Sequence, residues 1–126
     1  MSTDRRAVID RYLGAYNALD VPGMLATLHP DVEFRNVAGG EVTAAAHGRE
    51  QFRALAEHAV TLFRSRRQSV REYQEEGDRV RIAVDFEGEL AAELRPALRT
   101  GDTLRLAGHS TFTFRDGSIV ELVDES

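Results

Sequence analysis

The residues with most chemistry in them gather near the end of the chain, where Gly108-His109-Ser110-Thr111-Phe112-Thr113-Phe114 leads through Arg115-Asp116-Gly117 into Ser118 to Asp124. Two extended-type runs around a short polar break make a hairpin, and its register decides where the Asp124 carboxylate points. A three-residue loop with Gly117 in the left-handed position pairs Phe114 with Ser118, Phe112 with Val120, Ser110 with Leu122 and Gly108 with Asp124. Opposed residues share a face, so Phe112, Phe114, Val120 and Leu122 turn inward and take Ser110 and Asp124 with them. A two-residue Asp116-Gly117 turn instead slips the ladder by one and sends Glu121 and Val123 inward. The first register is the expected one, because Val120 and Leu122 match the phenylalanines better than Glu121 does. A carboxylate held among apolar side chains is a candidate general base; the plainer alternative is a solvated strand end.

Other chemistries are bounded by what the chain contains. It has no cysteine, which removes disulfides, thiolate nucleophiles and thiolate metal sites. All 16 basic residues other than histidine are arginine, so no lysine Schiff base forms. His29, His47, His58 and His109 are not paired at metal-ligand spacing, and no metal site is expected. His109 falls on the outer face in the expected register, and His47 reads as a loop histidine that can reach a pocket rim. Arg64, Arg66, Arg67 and Arg71 form a basic cluster facing Glu72, Glu75 and Glu76. That is a surface network, from which Arg67 or Arg71 can turn inward by alternation and hold a carboxylate ligand. No glycine-rich phosphate loop, serine triad or dinucleotide fingerprint is present, and no cofactor is expected.

These residues need a scaffold. A chain of 126 residues, 42% hydrophobic, is expected to form one domain over 1–126 with a sizeable core. A net charge of -5 argues against a nucleic-acid or anionic-membrane surface. Met1-Ser2-Thr3-Asp4-Arg5-Arg6 runs into an amphipathic segment without an apolar signal core, so a cytoplasmic location is expected. Val8, Tyr12, Ala15, Tyr16 and Leu19 stripe a first helix from Asp4 to Leu19. Asp20 caps a short second helix ending near His29-Pro30. Val32 and Phe34 alternate with Glu33 and Arg35 in a strand that puts Asn36 on its apolar face. A short strand over Glu41 to Ala46 follows, and then a third helix after Gly48 with Phe52, Leu55, Ala56, Ala59 and Phe63 at helical spacing. From Arg66 the pattern is extended: Arg66 to Glu76, Arg79 to Leu90, Thr103 to Phe114 and Ser118 to Asp124. Helices gathered on one face of a curved, mostly antiparallel sheet make an α+β domain. The connection from Ala91 to Gly101 is the longest; it either covers a pocket mouth or simply ends a hairpin.

With Arg11-Tyr12, Asn17-Ala18-Leu19-Asp20, Pro30-Asp31-Val32-Glu33-Phe34, His47-Gly48-Arg49-Glu50-Gln51-Phe52 and Phe112 to Ile119 in this order, the chain resembles the nuclear transport factor 2-like (NTF2-like) superfamily. It is most similar to the ketosteroid isomerase-like and SnoaL-like members. The resemblance spans nearly the whole chain and implies a cone-shaped half-barrel with a pocket between helices and sheet. It also implies a homodimer through the outer sheet face. It does not imply one function, because isomerases, cyclases, hydrolases, dehydratases and non-catalytic binders share this fold.

Residue by residue, Tyr12 matches the tyrosine that holds the enolate oxygen in ketosteroid isomerases, or else is a core aromatic with a satisfied hydroxyl. The base position of those enzymes is Asn36 here and the acid position is Ser110, which argues against ketosteroid isomerisation. In limonene-type epoxide hydrolases the matching positions Phe34, Asn36 and Asp124 hold a water, but the Arg and Asp of a middle strand fall on Val84 and Phe86. SnoaL-like cyclases use an acid/base aspartate, again matched by Asp124. The resemblance thus implies an apolar pocket lined by Tyr12, Tyr16, Phe34, Phe52, Phe63, Phe86 and Phe112, with Asn36, Ser110 and Asp124 as polar contacts. Two functions stay open. One is an enzyme on a small, largely apolar carbonyl or hydroxyl compound, with Asp124 as base, Asn36 orienting and Tyr12 donating; the other is a non-catalytic binding or dimerisation module.

Overall fold

Asp4 caps helix α1 (Arg5–Asn17), its side chain accepting from the Ala7 N–H at 3.3 Å. The computed structural model describes residues 4–126; Met1-Ser2-Thr3, part of the expected domain and of the leaderless reading, lies outside the described residues. α1 buries Val8, Ile9, Tyr12 and Leu13. Leu19 then turns the chain with φ 58, and Asp20 caps α2 (Val21–Leu25) by accepting from Gly23 at 3.0 Å.

α2 is shorter than expected. It stops at Leu25 rather than near His29-Pro30, because Pro30 disfavours helical geometry in His29 and Thr27 closes the last turn on the Met24 carbonyl at 2.7 Å. Leu28 already belongs to strand β1 (Leu28–Ala38), with Pro30 in the irregular stretch between paired Leu28 and Glu33, where its missing N–H costs nothing. β2 (Glu41–His47) returns beside β1, and α3 (Gly48–Thr61) buries Phe52 and Ala56. Arg49 ties the start of α3 to β1 through the Leu28 carbonyl at 2.9 Å. The sheet is completed by β3 (Phe63–Glu76), β4 (Arg79–Leu90), β5 (Thr103–Arg115) and β6 (Ser118–Glu125). Phe63, placed on the third helix by its spacing, is instead the first residue of β3.

The strand order is β2-β1-β6-β5-β4-β3, with β1 and β6 parallel and every other pair antiparallel. Three helices cover one face of this curved, unclosed sheet, giving the α+β cone.

The last hairpin corrects the expected register. Asp116 and Gly117, with φ 53 and 80, form a two-residue turn, so Arg115 faces Ser118 and Phe114 faces Ile119. A bulge at Val120 then shifts the ladder, so that Thr113 faces Glu121, Phe112 faces Leu122 and Ser110 faces Asp124. Ile119 is therefore the fully buried partner, Val120 is only half-buried, and Asp124 pairs with Ser110 rather than Gly108. The turn and the bulge each move the ladder by one residue in the same sense; the two-residue sum changes the partner of Asp124 but restores its face.

Each central strand runs from a packed end to a polar boundary. Val32 on β1, Val80 and Ile82 on β4, Phe112 and Phe114 on β5, and Ile119 and Leu122 on β6 fill the core. At the edge of that core, Asn36, Asp124 and Ser110 continue the row of Ile82 across β1, β6, β5 and β4. The cone opens past that row.

Candidate functional site

Where the core stops, a cavity of about 430 Å³ remains between α1, α3 and the sheet. Tyr12, Tyr16, Phe34, Asn36, Phe52, Phe63, Phe86, Ser110 and Asp124 all line it. Phe112 does not: it is fully buried behind Tyr12, ring centroids 5.9 Å apart and edge to face, and belongs to the core. The aromatic wall is built of edge-to-face pairs, Phe34 with Phe52 at 5.4 Å and Phe63 with Phe86 at 5.5 Å. Gly88 permits the second pair, since a Cβ there would meet Phe63 at 2.7 Å.

Asp124 is half-buried, because the cavity leaves one side of it open, yet its carboxyl is enclosed by protein elsewhere. Burial disfavours its charged form and pushes its pKa up to about 6, while the Ser110 hydroxyl, donating to Oδ1 at 2.7 Å, holds it back. Ser110 is itself buried, so it is committed to this bond. Oδ2 has no hydrogen-bond partner among the described residues. The carboxylate is therefore ionised at neutral pH but more basic than an ordinary aspartate.

Tyr12 is buried, and burial first and the Asp124 charge second raise its pKa well above the ordinary phenol value. At neutral pH it is a hydrogen-bond donor. Asn36 pairs with Asp124 across the parallel β1 and β6 strands, and its amide nitrogen is engaged by Thr43 Oγ1 at 2.8 Å. That fixes the amide and leaves Oδ1 as its acceptor. Val84 and Phe86 carry the apolar wall between β3 and β5.

The inward arginine is neither Arg67 nor Arg71. Both are exposed, and Arg71 pairs with Asp85 at 2.9 Å. An irregularity between Phe63 and Ser65 sets the other parity, so that Arg66, Gln68 and Val70 turn inward and Arg66 is 5% exposed. Apolar Val70, counted back in steps of two, was the signal for that face. Gln68 is held by Asn17, whose Oδ1 accepts from the Gln68 N–H at 2.8 Å. The sequence also gave no sign of the leucines at the mouth: Leu94 on the long connection and Leu106 on β5 are exposed and line the opening. Of the two readings of that connection, covering the mouth is the one the contact of Leu94 fits.

His109 pairs with Ala83 and borders both the outer face and the cavity, and exposed His47 pairs with Glu33. Among the described residues no group of His, Asp or Glu is arranged to hold a metal ion, and no helix is long and apolar enough to cross a membrane.

Solved structures with this architecture include TerC co-crystallised with polyporic acid, 26% identical, covering 94% of this chain and 88% of that one with a TM-score of 0.76. A proposed polyketide cyclase from Silicibacter sp. TM1040 is 25% identical over 94% of this chain and 85% of that one, TM-score 0.73. IdmH, a proposed polyketide cyclase from Streptomyces antibioticus, shares the fold at 19% identity, with coverage of 96% and 90% and a TM-score of 0.78. No curated protein matches the sequence. The profile of the SnoaL-like domain matches residues 9–122, and the chain belongs to that family, with a fold shared by structures described as NTF2-like and ketosteroid isomerase-like.

Proposed function

We propose that the protein is an acid/base enzyme acting on a small, largely apolar carbonyl or hydroxyl compound, with Asp124 as the base. The observation that carries this reading is a carboxyl of raised basicity on the wall of an otherwise mostly apolar cavity, beside a phenol that stays protonated. Tyr12 donates to the substrate carbonyl oxygen, and the free Oδ2 of Asp124 takes a proton from the adjacent carbon. The C–H electron pair moves into the new C=C bond, the carbonyl π pair moves onto oxygen, and Tyr12 holds the resulting enolate. Asp124 then returns the proton to carbon or to a product oxygen. Asn36 orients the substrate or a water through Oδ1. Likeness to two proposed polyketide cyclases supports a carbonyl substrate, since cyclisation of such compounds runs through enolates.

The test is exchange of α-protons for deuterium in one- to three-ring ketones such as 2-tetralone, followed by NMR. The native protein accelerates exchange, and Asp124→Asn loses roughly 100-fold or more of it. An Asp124→Asn protein as active as the native one would sink the reading. The second reading, a non-catalytic binding or dimerisation module, is favoured by Val84 and Phe86, which leave the cavity-facing side of the middle strand without acid or base. No exchange with any ketone, alongside measurable binding, would select it. In either case the protein is proposed to act as a homodimer through the outer face of the sheet.

A further inference from the structure

Arg66 is a buried cation with no acid to balance it. It is 5% exposed, and none of the ion pairs among the described residues includes it. Burying a guanidinium is costly unless its donors and its charge are met. Part of the compensation comes from α1. Nε donates to the Tyr16 carbonyl at 2.9 Å in the last turn of that helix, where the helix dipole favours a positive charge. The guanidinium also stacks on the Tyr16 ring, Cζ 3.6 Å from its centroid, and Nη2 meets Met24 Sδ at 3.7 Å. A guanidinium has five N–H donors. The Nη1 pair has no hydrogen-bond partner among the described residues, and Arg66 is part of the cavity wall.

Two residues further along the same face of β3, Gln68 lines the same cavity, and its Oε1 is buried with no hydrogen-bond partner. Asn17 holds its backbone from both sides, accepting from the N–H at 2.8 Å and donating to the carbonyl at 3.4 Å, and the Gln68 amide lies against the Tyr16 hydroxyl. An unbalanced fork of donors beside an orphaned acceptor is the complement of an anionic oxygen pair with a neighbouring hydroxyl. Around them Phe63, Phe86 and Leu104 present apolar surface. The acids on the cavity wall, Asp124 and Glu125, are both on β6, three strands away at about 4.8 Å per strand. They therefore do not occupy the Arg66 end.

We propose that Arg66 and Gln68 form an acid-recognition subsite, and that the natural ligand is a ring compound carrying a carboxylate or equally acidic enol next to a hydroxyl. The proposal rests on the reading of the cavity as a small-molecule site. Arg66 holds the anion and Gln68 accepts from the hydroxyl, so the far end of the ligand lies at Tyr12 and Asp124. Polarity at one end and reactivity at the other set the direction in which a substrate enters.

Calorimetric titration of the native protein at pH 7.5 with 3-hydroxy-2-naphthoate and with its methyl ester tests this. The acid is expected to bind at least tenfold more tightly than the ester. Arg66→Met abolishes that preference, lowering acid affinity at least tenfold more than ester affinity, and Arg66→Lys keeps part of it. Asp124→Asn removes proton transfer yet keeps the preference, so loss of the subsite and loss of the catalytic reading are separable. Equal binding of acid and ester, binding of neither, or a preference that survives in Arg66→Met would overturn the proposal. Where Arg66→Met does not fold, side-chain ¹⁵N spectra of the native protein decide. The Arg66 Nε–H resonance shifts on adding the acid and not the ester; a resonance indifferent to both would overturn it.

Discussion

Burial that lifts Asp124 from 3.8 to about 6 makes the folded protein bind a proton more tightly than the unfolded chain over that interval. Stability therefore falls as pH rises from about 4 to about 6, and above that range the native state carries the full cost of about 3 kcal/mol. Asp124→Asn removes that cost while keeping an acceptor for the Ser110 hydroxyl. Its melting temperature should exceed that of the native protein by several degrees at pH 8, with the gain vanishing near pH 4; equal melting at pH 8 would contradict this account of Asp124. Ser110→Ala acts in the other direction on the proton. It removes a hydrogen bond to a charged acceptor, worth about 1.5 kcal/mol, so the carboxyl should titrate above its native value in a ¹³C NMR titration. At this scale alternation put Asp124 and Asn36 on inward faces and the family resemblance singled out Tyr12; all three line the cavity. The sequence did not single out Arg66, because the run from Arg64 to Arg71 is polar on both faces and only Val70 marks the inward one.

Among the elements, the end of β6 places the base, and it does so by lying against a residue with no side chain. A Cβ on Gly108 would come 2.3 Å from the Glu125 carbonyl oxygen. Gly108→Ala should therefore lift the end of β6, cost about 1–3 kcal/mol, and move the Asp124 titration together with the melting temperature. Gly117→Ala is the contrasting case. Its φ of 80 strains any side chain, at roughly 1–2 kcal/mol, but the turn is far along the hairpin from Asp124. Melting should fall while the Asp124 titration stays in place, and a shared shift of both would count against the separation of turn and site. The same hairpin explains what was legible. The inward face of Asp124 was read through the wrong pairing, because a shorter turn and a bulge at Val120 add to a two-residue shift, one full period of the strand. Turn length alone could not show that, since a bulge leaves no mark in the alternation of Val120, Glu121 and Leu122. Helix α2 was read too long for a similar reason: Leu28 suits either a helical or an extended run, and tertiary pairing with Ile119 decides it.

For the whole molecule, element order and the hydrophobic periods were enough to place the cone, because helices and strands bury different faces at different spacings. The cavity was less legible, since a pocket is defined by what does not fill it: Phe112 was expected on its wall and packs behind it, while Leu94 and Leu106 reach its mouth from a loop and from β5. The proposed homodimer belongs to this scale. Sedimentation at micromolar concentration should show a dimer, and a single monomeric species would remove it. The most direct test of the central claim, that the cavity holds a carboxyl fit to accept a proton from a substrate, is a ¹³C NMR titration of Asp124 in the native protein. A midpoint near 6 is the predicted result. A midpoint at or below about 4, the ordinary aspartate range, would mean that water reaches the carboxyl freely and would contradict the account.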